Sequence, residues 1–274
     1  MSAASQMRNR ERWQPSKFVY RGGRLVASRD PTEVGVGSRL IVDLVAECYD
    51  THLRHHARGK LLDLGCGKVP LFLAYKDYVT ENICVDWEHT SHQSEYLDSE
   101  CDLTTALPFK DGEFDTILLS DVLEHVPQPE HLWGEMSRLL APGGRVIVNV
   151  PFYYWLHEQP YDYYRYTEFA LRRFVERSGL CLLRLDAIGG APEIIADIFA
   201  KNVVRVPGIG RSLAASTQSL ARFAIRTKLG KKVSAATREG FPFGYFLVAQ
   251  KPAGWPHGDD RREASRLGDQ TTLA

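Results

Sequence analysis

Apolar positions along the chain recur with two spacings, and the spacings take turns. Leu40, Ile41, Leu44, Val45, Cys48 and Leu53 fall three and four apart, which predicts a helix over 36–55. The run 60–64 is apolar enough for a short buried strand and ends in a glycine turn. A helical stretch over 71–78 leads to a second strand at 83–86, and 114–120 makes a third. The pattern at 130–140 predicts a helix stopped by Pro142-Gly143-Gly144, followed by a buried strand at 145–150. Residues 168–178 predict a helix with Thr167 as its N-cap, and 180–188 and 243–250 predict strands. Strands alternating with helices predict an open α/β sheet with helices on both faces.

Three segments stand outside this alternation. The first 30 residues are polar and rich in Arg, and predict an N-terminal arm ahead of a domain at 31–252. Residues 192–237 predict a helical insert before the last strand, and 253–274 have the composition of a disordered tail. In the insert, Ile194, Ile195, Ile198, Phe199, Asn202, Val203 and Val206 share one helical side, with Asp197, Lys201 and Arg205 elsewhere. This predicts a helical cap whose apolar side packs over the domain and whose basic face meets solvent.

Among 274 residues, 34 Lys+Arg balance 34 Asp+Glu, which excludes a nucleic-acid binder relying on overall basicity. No apolar run reaches the roughly 18–20 residues of a membrane span, and the N-terminus lacks a secretory apolar region; a soluble, cytoplasmic protein is expected. The balance hides a gradient. Residues 81–135 hold 14 acidic side chains and one basic, whereas 201–238 hold nine basic and no acidic ones. An anionic partner, either a membrane surface or a phosphate-linked lipid, is therefore expected at Lys201, Arg205, Arg211, Arg222, Arg226, Lys228, Lys231 and Lys232. The five cysteines form no CxxC or Cys/His ligand set, and His55-His56 reads as solvated surface, so no metal is expected.

The chemistry concentrates where the strand at 60–64 meets its turn. Gly65 and Gly67 let the backbone approach a ligand at the carboxyl end of a parallel strand. Asp86 closes the next strand, where an acidic side chain can accept both hydroxyls of a ribose. A dinucleotide fingerprint fails because position 70 is Pro, and Asp63 would oppose a pyrophosphate. A carboxylate at 63 suits a cationic end such as an amino acid's ammonium. Adenosine joined to an amino-acid tail describes S-adenosylmethionine.

With LLDLGCGKVP (61–70), ICVDWE (83–88), CDLTTALPFKDGEFDTILLSDVLEHVPQPE (101–130) and LLAPGGRVIVNVPF (139–152), the chain resembles the class I S-adenosylmethionine-dependent methyltransferases, small-molecule methyltransferase-domain group. The resemblance implies a Rossmann-like open sheet of about seven mostly parallel strands and S-adenosylmethionine as methyl donor. It implies that Asp63, Gly65 and Gly67 hold the methionine portion, with Cys66 a small side chain in the same turn. Asp86 would take the ribose, Trp87 flank the adenine, Asp102 and Leu103 read its amino edge, and Ser120 and Asp121 line the wall near the sulfonium. The family usually has a third glycine where Val69 stands, which predicts a more crowded backbone there. Glu124 reads as a helix N-terminal acid, and His125 as a locally packed residue.

Seven of the sixteen residues at 152–167 are Tyr or Trp, a loop suited to packing on an acceptor or favouring a sulfonium. Polar side chains amid aromatics need partners, which singles out His157, Asp162 and Arg165 as catalytic candidates. His157 is the expected general base and Asp162 its orienting group. The stretch H-x-x-P-x-D-Y-x-R-Y-T resembles methyltransferases encoded with surface-glycan and natural-product genes. The expected function is O-methylation of a polar small molecule or glycan-type acceptor. The alternatives are C-methylation of a quinone-like or lipid-linked ring, and a non-catalytic adenosyl-ligand sensor or scaffold.

Overall fold

The computed structural model describes residues 9–88 and 95–254. All but the first two residues of the tail expected at 253–274 thus lie outside the described residues, as does the start of the N-terminal arm. In chain order, strands β1 (Phe18–Arg21) and β2 (Arg24–Ala27) precede helix α1 (Arg39–His56). Strand β3 (Gly59–Leu64), helix α2 (Phe72–Tyr75), strands β4 (Val79–Asp86), β5 (Ser99–Glu100) and β6 (Phe114–Ser120) follow. Then come α3 (Pro129–Leu139), β7 (Leu140–Pro151), α4 (Glu168–Arg177) and β8 (Cys181–Ile188). Three helices, α5 (Ala191–Val203), α6 (Gly210–Arg226) and α7 (Lys228–Thr237), intervene before β9 (Gly244–Gln250).

Seven strands form one sheet in the order β5-β4-β3-β6-β7-β9-β8, parallel except that β9 runs against both neighbours. This is the Rossmann-like arrangement expected. The central strands are apolar on both sides because both faces are covered. Leu62, Leu64, Ile117 and Leu119 pack with Trp133 and Met136 of α3 and Leu171 and Phe174 of α4. Leu61, Leu118, Ile147 and Phe246 face the other way, onto Val45, Tyr49 and Leu53 of α1. The chain leaves β3 toward β4 on one side and returns to β6 on the other, so the carboxyl ends of these strands flank a topological switch point.

Several expectations change. Within the expected N-terminal arm, residues 18–27 form a hairpin packed on the domain. Gly22 and Gly23, with φ of 57° and 74°, turn β1 back onto β2, and Phe18, Leu25 and Ala27 are buried. Asp43 of α1 accepts from the Ala27 amide at 2.9 Å and pairs with Arg29 at 2.9 Å, which fastens the hairpin to the domain. The helix expected at 71–78 is only α2, because residues 76–78 turn to feed β4, which starts at Val79. Thr167 caps α4 as expected, its hydroxyl accepting from the Ala170 amide.

The insert is helical, but its polarity is inverted relative to expectation. Ile195, Ile198 and Phe199 are 67%, 54% and 49% exposed, whereas Glu193, Asp197 and Lys201 are buried. A close approach accompanies this: a Cβ on Gly37 would stand 3.2 Å from the Lys201 amide nitrogen, and Ala196, Ala200 and paired polar groups lie on the inner side, while Ile194 of the expected apolar side is buried against Ile41 and Phe243. Asp197 pairs with Lys201 at 2.6 Å, Glu193 accepts from the Ser234 hydroxyl at 2.6 Å, and Gln218 donates to the Gly37 carbonyl at 2.8 Å. These contacts partner one oxygen each of Glu193 and Asp197, while Glu193 Oε2 and Asp197 Oδ1 have no hydrogen-bond partner among the described residues.

Candidate functional site

Strand β3 carries Asp63 to the sheet's carboxyl edge, between β4 and β6, where it is 4% exposed. The chain then turns over β4, the Gly65 and Cys66 amides donating to the Val85 carbonyl at 2.9 and 3.1 Å. Gly65 has φ 67°, and a Cβ there would stand 2.6 Å from Val122, so this turn needs glycine. The Gly67 amide donates to Asp86 at 2.9 Å, joining the turn to the end of β4. Val69 also adopts a left-handed conformation, φ 50°, with its side chain fully buried in the core and away from the cavity. Its carbonyl accepts from the Trp13 indole at 3.0 Å.

These elements enclose a cavity of about 570 Å³. Asp63, Gly65, Cys66, Gly67, Asp86, Trp87, Asp102, Leu103, Ser120 and Asp121 all line it, so the ten residues expected around the cofactor share one wall system. Trp87 stands edge-on to Tyr161, ring centroids 4.9 Å apart. One oxygen of Asp102 is taken by the amide and hydroxyl of Thr104, at 2.8 and 2.7 Å. Sequence reasoning missed Ser16 and Lys17, which the N-terminal segment lays across the opening. Lys17 pairs with Asp121 at 2.6 Å, and Asn149 holds the other Asp121 oxygen.

The cavity is acidic. Glu33, Asp63, Asp86, Asp102, Asp121 and Glu158 face two lysines, and both lysines are paired, Lys17 with Asp121 and Lys68 with Glu33 at 2.8 Å. Burial raises the Asp63 carboxyl to about 7, opposed by the Tyr75 hydroxyl and reinforced by Asp86. A ligand with an ammonium and a sulfonium would supply the missing positive charge. The residues present therefore fit an adenosyl amino acid.

The aromatic loop at 152–167 is pinned to the turn after β6. The Tyr163 and Tyr164 amides donate to the Glu124 carbonyl at 3.0 and 3.2 Å, and the Tyr166 hydroxyl donates to the Leu123 carbonyl at 3.1 Å. His157, Asp162 and Arg165 do come together. Arg165 forks onto both Asp162 oxygens, one at 2.8 Å, and donates to the Trp155 carbonyl at 3.0 Å. Burial alone would raise the Asp162 carboxyl, yet Arg165 and the His157 amide hold it at about 2. All three stand behind the cavity wall, which His125 forms at this point. The histidine Nε2 atoms are 3.2 Å apart.

Glu124 corrects the sequence reading. It lies in a short 3-10 turn, Leu123–His125, rather than at the start of α3, and is completely buried. Its carboxylate stands 3.8 Å from His125 Nε2 and 3.7 Å from His157 Nε2, and neither oxygen has a hydrogen-bond partner. Burial and then Asp121 push this carboxyl well above its ordinary range, while burial and then His125 lower the His157 imidazole. Of the basic set, Lys201 is buried against Asp197 and the Tyr154 ring, and Arg222 pairs with Asp43 at 2.7 Å. Arg205, Arg211, Arg226, Lys228, Lys231 and Lys232 are exposed.

Residues 62–148 match the family model described as a methyltransferase domain. An uncharacterized methyltransferase of Mycobacterium leprae (strain Br4923) is 40% identical over 79 residues, 27% of this chain and 29% of that protein. One of Mycobacterium tuberculosis (strain ATCC 25177 / H37Ra) is 39% identical over 79 residues, 27% of this chain and 30% of that protein. The matched region thus spans under a third of those relatives' length. In fold, the chain is similar to the [4+2]-cyclase SpnF, with TM-score 0.52 and 18% identity over 79% of this chain and 84% of that one. It is also similar to a chain in the complex between the Haloferax volcanii Trm112 methyltransferase activator and a putative methyltransferase, with TM-score 0.53 and 18% identity over 81% and 95%.

Proposed function

We propose that this chain is a class I S-adenosylmethionine-dependent methyltransferase, a reading supported by the methyltransferase-domain match at residues 62–148, and that it methylates an oxygen of a polar small molecule or glycan-type acceptor. The observation that carries the reading is the acidic cavity at the switch point, whose two lysines are already neutralised by their partners. In this reading Asp63 takes the ammonium of the donor, Asp86 its ribose, Trp87 flanks its adenine, and Asp102 and Leu103 read the adenine's amino edge. S-adenosylmethionine bound there would supply a methyl carbon on positive sulfur, which an acceptor oxygen would take as the sulfur–carbon bond broke with its electron pair left on sulfur, the hydroxyl proton passing to solvent.

The chain's own work is alignment, and a well-oriented pair of reactants gains about 7–11 kcal/mol over a bimolecular encounter. Lys17 and Asn149 fix Asp121 beside the reacting end. His125, Glu158 and Gln159 line the cavity together with Tyr161 and Tyr163, and these polar groups support an oxygen acceptor. His157 reaches that space through His125. Arg165 acts as a positioning residue, tying Asp162 to the loop.

Calorimetry of the full chain with S-adenosylmethionine, paired with mass spectrometry for a 14-dalton gain in candidate acceptors, tests the reading. Donor binding weakened at least tenfold in Asp86→Ala is expected. No binding of the donor would reject the assignment, and binding with no methylated product across acceptor classes would favour a sensor or scaffold. Because a [4+2]-cyclase shares the fold, the fold by itself does not select methyl transfer.

The insert supports a second statement, about location. Its outward Ile195, Ile198, Phe199, Ile209, Leu220 and Phe223 lie among exposed Arg211, Arg226, Lys228, Lys231 and Lys232. Apolar side chains flanked by cations suit an anionic lipid surface, with the helices lying on it. No described helix is long and apolar enough to cross a membrane. Co-sedimentation with phosphatidylglycerol-containing vesicles, compared with neutral ones, tests this; equal and negligible binding to both counts against it.

A further inference from the structure

We propose that Glu124, His125 and His157 form a binding site for one divalent cation of the Zn²⁺ or Mn²⁺ kind, beside the methyl-transfer cavity. The two imidazole Nε2 atoms and one carboxylate oxygen are mutually 3.2, 3.7 and 3.8 Å apart. The circle through points so spaced has a radius of about 2.1 Å, which is the length of a zinc–imidazole or zinc–carboxylate bond. An ion can therefore enter without rearrangement of the backbone.

The hydrogen bonding around the site points the same way. His125 Nδ1 lies 3.0 Å from the Tyr161 carbonyl, which requires a proton on Nδ1 and leaves the Nε2 lone pair facing inward. His157 Nδ1 faces Asp162 at 3.3 Å, and Asp162 is itself held by Arg165. The Tyr161 carbonyl is an outer partner of the sort that orients a metal-bound histidine, whereas His157 Nδ1 makes no hydrogen bond among the described residues and Asp162 acts on it as a neighbouring charge. Glu124 then adds a fully buried carboxylate whose two oxygens have no hydrogen-bond partner. The two Nε2 atoms and a Glu124 oxygen converge, and in the metal-free chain a proton on His157 Nε2 bridges the two histidines; a cation would replace that proton. A buried carboxylate without a partner is costly, and a bound cation removes that cost.

Two imidazoles and one carboxylate suit Zn²⁺ or Mn²⁺ better than the all-oxygen preference of Ca²⁺ or Mg²⁺. Three protein ligands leave at least one position open, and His125 and Glu158 place that position at the cavity wall, with Glu158 3.9 Å from His125 Nε2. An acceptor hydroxyl coordinated there is acidified, so that its proton leaves to water and its oxygen attacks the donor methyl. This role rests on the oxygen-acceptor reading above; the ion site itself does not. It assigns His157 to holding the ion rather than to taking the proton.

The test uses the full chain, stripped with a chelator and titrated calorimetrically with Zn²⁺ and separately with Mn²⁺. One ion per chain is expected for at least one metal, weakened at least tenfold in Glu124→Gln and in His125→Gln, and about 10–100-fold in Asp162→Asn, which keeps all three ligands. Substitution with Co²⁺ should give a visible absorption band that His157→Ala abolishes. His125 is on the cavity wall, so His125→Gln keeps the test open should Glu124→Gln not fold. Failure of both metals to bind, or equal binding by wild type and both ligand variants, overturns the site and leaves a shared proton between the histidines as the explanation. S-adenosylmethionine binding, read on the same samples, separates this from the methyltransferase reading: donor binding without the ion sinks only the metal site, and the ion without donor binding sinks only the other.

Discussion

Asp63 carries a burden the fold does not relieve. Its carboxyl is raised from 3.8 to about 7, so the folded chain holds a proton there across a window in which the unfolded chain has released it. Stability therefore falls as pH rises through that window, the sign expected for an acid raised by burial. A ligand ammonium reverses the effect by favouring the ionised form. Donor affinity is expected to climb between pH 5 and 7, by at most tenfold per unit, and to level off above about 7. Asp63→Asn should flatten that profile and weaken binding about 10–100-fold at pH 8, the cost of losing a charged hydrogen bond of about 1.5–3 kcal/mol. The same variant should make the unliganded fold more stable at pH 8. Calorimetry at three pH values with a urea series measures both, and unchanged affinity in the variant would remove Asp63 from the ammonium role.

The positions of Asp63 and Asp86 at the carboxyl edge of the sheet were legible in the sequence because each lies at or next to the end of a short apolar strand. Glu124 and His125 were not. Their chemistry depends on a residue 32 positions after His125, brought opposite by backbone bonds from the aromatic loop to a 3-10 turn. No local pattern encodes that pairing.

At the scale of elements, the turn 65–70 holds a β-branched residue in a left-handed conformation. Such strain costs about 1–2 kcal/mol, while burial of the valine methyls returns about 0.8 kcal/mol per carbon. At an ordinary buried position glycine destabilises more than alanine. At Val69 the released strain offsets the difference. Val69→Gly is expected to unfold within about 1 kcal/mol of Val69→Ala, or to be the more stable of the two. Urea denaturation decides it: a glycine variant clearly weaker than the alanine variant would show that Val69 is unstrained. The glycine usual in the family is thus replaced at the expense of strain in the turn, not of space in the cavity.

Helix and strand spacing gave most elements to within a few residues, since two-sided burial of β3 and β6 leaves a plain apolar signature. The hairpin was legible in Gly22-Gly23 but was masked by the polar residues around it. For α5, periodicity identifies which residues share a side and cannot say which way that side faces. Gly37, 160 residues away from the middle of that helix, brings the backbone of Ala200 and Lys201 close and favours small or paired side chains at that point.

For the whole molecule, a net charge of zero conceals two opposed surfaces. The acidic half surrounds the donor cavity, and the basic half carries the outward apolar side chains of the insert. If both features act on a bilayer, they separate by variant. Lys231→Glu with Lys232→Glu should weaken vesicle binding by roughly 2 kcal/mol or more, at about 1 kcal/mol per lost cation, and lower its dependence on salt. Phe223→Asp should weaken binding at every salt concentration. Co-sedimentation across a salt series reads both, and indifference to both variants would rule the insert out as the contact.

The order of strands has a temporal consequence. Strand β8 pairs only with β9, and β9 lies some 56 residues further along the chain, beyond all three insert helices. As the polypeptide emerges from a ribosome, β8 has no partner until β9 appears. Throughout that interval the edge of β7 is open, and the apolar insert is already outside. Among the described strands β9 is the last made, and because it pairs with both β7 and β8 it is the strand that joins β8 to the sheet, after the residues lining the cavity have been made.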